Sequence, residues 1–127
     1  MEKKRILIVD DDADFVLAVR MVLESAGYLA DDAADGRSAL DKMRQNRPAV
    51  VLMDVMMASP LDGYYTTQLI ADDAELSSIP IVMISSIAES KYAASFPTDQ
   101  YLNIVDFLSK PVEPGVILAK VKRWAGE

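Results

Sequence analysis

Ile6-Leu7-Ile8-Val9 is an unbroken apolar run that stops abruptly at Asp10, Asp11 and Asp12. A run that is apolar at every position, rather than at every second one, marks a strand buried on both faces. The pattern returns in Ala49-Val50-Val51-Leu52-Met53, ended by Asp54, and in Ile81-Val82-Met83-Ile84, preceded by Pro80 and ended by Ser85 and Ser86. Tyr28-Leu29-Ala30 and Val105 to Ser109 are two further strand candidates. Between the strands the period lengthens. Phe15, Val19, Val22 and Leu23 fall on one face of a helix starting at Asp14, and Gly27 is a natural stop. Ala39, Leu40 and Met43 mark a second helix, which follows a turn at Asp35-Gly36 and runs out before Pro48. A loop with Pro60 and Asp62-Gly63 leads to a third, around Tyr64 to Ala71. Ala88 to Ser95 predicts a short fourth, and Ile117, Val121 and Trp124 share a face of a fifth after Pro111 and Pro114.

Strand and helix therefore alternate five times, with no internal repeat and no linker-like segment. Such a chain is expected to form an α/β fold, a parallel sheet with helices on both faces and right-handed crossovers. In these sheets ligands bind at the carboxyl ends of the strands. The residues that end the apolar runs should then meet at one edge. They are Asp10-Asp11, Asp54, Ser85-Ser86 and Ser109-Lys110.

Composition narrows the chemistry open to that edge. The 127 residues suit one domain, and there is no room for a second core. With 13 basic and 20 acidic residues the net charge is −7, so a polyanion is repelled and direct nucleic-acid binding is not expected. No cysteine is present, which removes disulfides and thiolate chemistry. No histidine is present either, which removes imidazole catalysis and His-ligated zinc. The opening MEKKRILIVDDD reads as neither a signal peptide nor a membrane span, and a cytoplasmic protein is expected.

Three carboxylates drawn within ~5 Å repel by roughly 3 kcal/mol per pair at an effective dielectric of about 20. Protons or a cation must neutralise them. With only oxygen donors at hand the cation should be hard, and Mg²⁺ fits best. An aspartate held there is a competent nucleophile toward phosphorus, while a lysine and a hydroxyl on the same edge can meet phosphoryl oxygens. Taken singly, each residue has an ordinary explanation. A strand-ending Asp is usually a turn former or helix cap, a job for Asp12 or Asp14 here. Ser85 alone is a strand-end hydroxyl and Lys110 alone a solvated lysine. Their combination, at the correct strand ends and in this order, favours the chemical reading.

Over essentially its whole length the chain resembles the receiver domain of response regulators in two-component signalling, similar to the single-domain chemotaxis type. The matching segments are ILIVDDD, VVLMDVMM with a following DG, PIVMIS and DFLSKPV. The resemblance implies a single receiver domain over residues 1–127, doubly wound and flavodoxin-like, with strand order 2-1-3-4-5 and five helices. It implies that Asp54 accepts the phosphoryl group, from a sensor histidine kinase or a phosphotransfer protein, in a Mg²⁺-dependent reaction. Asp11 is then a direct metal ligand, Asp10 a ligand through water, and the Met56 carbonyl completes the protein's share of the shell. Ser85 matches the switch hydroxyl, Lys110 the lysine whose bond to Pro111 is cis, and Phe107 the aromatic switch, with plain core filling as the rival for Phe107. Such a protein is not a conventional enzyme; it phosphorylates itself from small donors and loses the group on its own. The positions that flank the water path for that loss are Met56 and Ile87, both apolar, so the loss is expected to be slow. A separate phosphatase or output protein fits this reading, and a phosphorylation-dependent dimer stays open.

Two departures qualify the likeness. Ala58 stands where the family carries a proline, with Pro60 two places later, so the loop after Met57 reads as carrying an insertion. SFPTDQYLN replaces the usual short turn before the last strand. Three rivals remain. A haloacid-dehalogenase-type phosphatase would use Asp10 and Asp12, but Asp14 breaks its motif and Asp54 would be left unexplained. A degenerate receiver that only binds partners would not need all the chemical residues. A flavodoxin-like FMN protein would need a hydroxyl- and glycine-rich loop where the acids stand.

Overall fold

A computed structural model describes residues 3–54, 62–86 and 104–126, with backbone alone for Asp62, Tyr64, Ser85 and Ser86. Five parallel strands lie in the order β2-β1-β3-β4-β5: β1 Arg5–Val9, β2 Leu29–Ala33, β3 Val50–Asp54, β4 Ile81–Ser86 and β5 Ile104–Lys110. Four helices are seen among the described residues, where the sequence pattern predicts five: α1 Ala13–Ser25, α2 Gly36–Gln45, α3 Asp62–Ala71 and α4 Pro114–Ala125. The expected helix at 88–95 lies outside the described residues. No helix among the described residues is long and apolar enough to cross a membrane.

The apolar runs are two-faced because alternate residues enter different cores. Leu7, Val9, Val51, Met53, Ile81 and Met83 pack with Ala39 and Met43 of α2 and Ile70 of α3. Ile6, Ile8, Val50, Leu52, Val82 and Ile84 pack with Val16, Val19 and Leu23 of α1 and Ile117 and Val121 of α4. Fully burying each Val, Leu, Ile or Met among them contributes about 1.5–3 kcal/mol. The inward line of α1 is Val16, Val19 and Leu23: Val19 and Leu23 are buried as expected, Val16 joins them, and Phe15 and Val22 are only partly buried. Trp124 is likewise at the margin of the core, and Ala125 takes the inward place.

Local signals set the element ends. Asp12 caps α1, its carboxylate accepting from the amides of Asp14 and Phe15, and Asp35 caps α2 by accepting from the Ser38 amide at 2.8 Å. Gly27, at φ +97°, closes α1: its amide donates to the Glu24 carbonyl and that of Tyr28 to the Leu23 carbonyl, which directs the chain into β2. That strand runs on to Ala33, past the expected Ala30, because its two acids are matched by helix cations. Arg20 of α1 lies 2.6 Å from Asp32, and Lys42 of α2 lies 3.3 Å from Asp31. The third helix starts at Asp62, ahead of the expected Tyr64. β5 is joined to α4 by Asp106–Lys120 at 2.9 Å. Burial pushes the Asp106 carboxyl up, but Lys120 and the Phe107 amide outweigh it and hold its pKa below the usual value.

Candidate functional site

Strand register delivers the acids to one place. Val9 pairs with Met53, so Asp10 and Asp54 follow side by side at the carboxyl ends of adjacent strands. Both are buried, each 4% exposed, whereas Asp11 is exposed. One carboxylate oxygen from each of Asp10, Asp11 and Asp54 falls within 4.8 Å of the others, the separation a single small cation can bridge. Asp10 is held from several directions. Its amide donates to the Ala33 carbonyl, its Oδ1 accepts from the Asp12 amide at 2.9 Å, and its Oδ2 accepts from Lys110 Nζ at 2.9 Å.

Lys110 ends β5, two strands beyond β3 and three beyond β1, so its long stem carries the ammonium back over the sheet edge. Nζ lies 3.9 Å from Asp54 Oδ2. Burial alone would lower the Lys110 pKa, but the hydrogen bond and attraction of Asp10, with Asp54 and Asp12 adding, hold it above the ordinary lysine value. The bond from Lys110 to Pro111 is cis, as the resemblance implies. Asp12 caps α1 and so is taken up as a helix cap, which counts against the reading that pairs Asp10 with Asp12 as phosphatase acids.

Ser85 stands at the same edge, its backbone paired with Ser109 across β4 and β5, and its neighbour Ser86 with Lys110. Phe107 is 37% exposed on β5. Met56 and Ile87 lie outside the described residues, as does the loop with Ala58 and Pro60. A cleft of about 310 Å³ opens from Asp10 and Asp11 along α1 to Arg20 and Asp32. A larger cleft, about 880 Å³, lies among Lys3, Arg5 and Arg47 at the opposite end of the strands. One neighbour of the site escapes sequence reading: the Phe15 ring lies 4.5 Å from the Lys110 ammonium. No local pattern signals that contact, because it joins the first turn of α1 to the end of β5.

The comparisons with known proteins point the same way. Protein PilH of Pseudomonas aeruginosa is 31% identical over 121 residues, covering 92% of this chain and 93% of PilH. The probable transcriptional regulator ycf27 of Guillardia theta is 34% identical over 120 residues, covering 94% of this chain but 44% of ycf27. The chain spans about half the length of the ycf27 regulators it matches. Among solved structures, the receiver domain of sensor histidine kinase PA1611 from P. aeruginosa superposes with a TM-score of 0.83 at 25% identity, covering 99% of this chain and 100% of that one. That structure has a magnesium ion coordinated in its active-site cleft. The profile of the response regulator receiver domain matches residues 6–122, from β1 through most of α4, and by that match the chain belongs to the receiver family of two-component response regulators.

Proposed function

We propose that the chain, as one receiver domain over residues 1–127, accepts a phosphoryl group on Asp54 with Mg²⁺ at Asp10, Asp11 and Asp54. The observation that carries this reading is the carboxylate triplet within 4.8 Å, with Lys110 reaching into it. The donor set is all oxygen, which suits a hard cation, and the Met56 carbonyl would add a further ligand. Bound there, Mg²⁺ would offset the acids' mutual repulsion and the charge on the transferring group. Asp54 is the nucleophile: its carboxylate oxygen bonds to phosphorus as the bond from phosphorus to the donor's histidine nitrogen breaks, and the electron pair leaves with that nitrogen. Lys110 and the Ser85 hydroxyl each meet a phosphoryl oxygen of the product. With Phe107 they form the switch that reports the modification to a partner.

These 127 residues hold no histidine, so the phosphoryl group comes from a histidine outside them, which we assign to a histidine kinase or phosphotransfer protein in a cytoplasmic setting. Small acyl phosphates serve as chemical substitutes for it. The test is mass spectrometry after incubation with acetyl phosphate and Mg²⁺. A base-labile phosphate on Asp54, absent from Asp54→Asn, is expected. Labelling of Asp54→Asn at the parent rate, or labelling without divalent cation at the full rate, refutes the assignment.

A further inference from the structure

We infer that Phe15 is a positioning residue for Lys110, its ring face seating the ammonium beside the acceptor carboxylate. This rests on the reading of Lys110 as the group that meets the phosphoryl oxygens. Lys110 Nζ lies over the Phe15 ring, 4.5 Å from its centroid. That is within the ~6 Å over which the negative face of an aromatic ring attracts an ammonium. The same nitrogen is 2.9 Å from Asp10 Oδ2 and 3.9 Å from Asp54 Oδ2. The ammonium therefore meets two carboxylates and one ring face.

The ring is itself fixed. The Phe15 amide donates to Asp12 Oδ1 at 3.2 Å, which sets the residue in the first turn of α1, and its side chain packs against the core shared by α1 and α4. What it supplies differs in kind from what the acids supply. Asp10 and Asp54 are carboxylates that a divalent cation would share, and each lone pair given to the cation is withdrawn from Lys110. A phenyl ring offers a hard cation no oxygen ligand. Its attraction for the ammonium persists whichever partner Asp10 takes, and it narrows the range of a flexible stem that would otherwise swing into solvent.

The experiment has two arms on the full chain. In the first, NMR records the Lys110 Hε and Cε resonances. Protons over a ring face are shifted upfield; the shift is expected in the parent and in Phe15→Tyr, and should be lost in Phe15→Leu. In the second, Asp54 phosphorylation by acetyl phosphate is followed at saturating Mg²⁺. Phe15→Leu keeps the apolar bulk but loses the π face, and its maximal rate should fall about two- to fivefold. The donor concentration for half-maximal rate should stay put, and Phe15→Tyr should recover the rate. Phenylalanines carrying successive ring fluorines, which drain the π face at nearly constant shape, should slow the reaction stepwise. They also decide the matter if Phe15→Leu folds poorly. Equal rates for Leu and Tyr with no fluorine trend would mean simple packing and overturn the proposal. A parent that takes no label refutes the phosphoacceptor reading alone. Ordinary Lys110 shifts in the parent overturn the ring seat alone.

Discussion

Lys110 donates its close hydrogen bond to Asp10: Nζ is 2.9 Å from Asp10 Oδ2, against 3.9 Å from the corresponding oxygen of Asp54. The lysine thus balances the acid beside Asp54, the proposed acceptor, while Asp54 itself stands at longer range. Such an arrangement leaves a Lys110 contact with an arriving phosphoryl oxygen within a short swing of the stem. It also makes the lysine a stabilising element of the resting fold, since Asp10 is buried and its side chain is 2% exposed.

Lys110→Met should therefore destabilise the chain in the absence of divalent cations. Leaving a buried charged group short of a partner costs about 1–3 kcal/mol, to be read from urea unfolding. The pH dependence has a definite sense. Folding raises the Lys110 pKa above its ordinary 10.5, so its contribution is complete below that value and is lost as the pH climbs through the higher folded pKa. The stability gap between parent and Lys110→Met should hold steady from pH 7 to about 10 and close only above it. A gap that already closes below pH 9 would contradict the raised value.

The carboxylate triplet predicts selective stabilisation by Mg²⁺. A ligand that binds only the folded state adds RT ln(1 + [L]/Kd), about 2.7 kcal/mol at a hundredfold excess over Kd. Asp11→Asn should remove most of this gain, because Asp11 is the exposed member and is the direct ligand in the proposed shell. Melting temperatures with and without Mg²⁺ decide it. An unchanged parent melting temperature counts against a metal at this place.

A third prediction concerns the scaffold. A Cβ on Gly36 would lie 2.1 Å from Thr66 Oγ1 and 3.2 Å from Thr66 Cβ, so α2 and α3 approach one another at a position that only glycine fits. Thr66 is buried and branched at Cβ, with little room to turn away. Gly36→Ala should cost about 1–3 kcal/mol by overpacking. Adding Thr66→Ala should recover part of the loss, and a double-mutant cycle measures the coupling. Strict additivity would show that the two residues do not press on each other.

The three central strands are legible because Ile6–Val9, Val50–Met53 and Ile81–Ile84 are apolar on both faces, and the polar residues that stop them, Asp10, Asp54 and Ser85, mark the edge of the candidate site. The full length of β2 is not legible in the sequence because Asp31 and Asp32 look like a strand end; only the fold brings Lys42 and Arg20 to them. The register slip between Ile81 and Val82, which sets Asp106 opposite Val82, leaves no trace in a pattern of hydrophobicity. Within the site, the identities of Asp10, Asp11, Asp54 and Lys110 followed from strand ends. The partner that Lys110 chooses, and the ring at Phe15, did not. Both depend on how a flexible side chain crosses from β5 to residues at the start of the chain, and no local spacing encodes that.

The lifetime of the proposed phosphoryl group is set by how water reaches it. Hydrolysis requires a water aligned opposite the Asp54 oxygen, and a polar side chain beside the path can orient one. The two positions that flank this path by resemblance to the receiver family are Met56 and Ile87, and neither side chain can hydrogen-bond in that role. Slow loss is the expected outcome, with a signal that lasts minutes or is ended by a separate phosphatase. First-order decay of phospho-Asp54 in Mg²⁺ buffer tests this directly. Met56→Asn and Ile87→Glu should each speed the decay, and together by at least tenfold, which corresponds to about 1.4 kcal/mol off the barrier. Decay of the parent within seconds, or a double variant no faster than the parent, would show that water is positioned by another route, of which the loop carrying Ala58 and Pro60 is the first to examine.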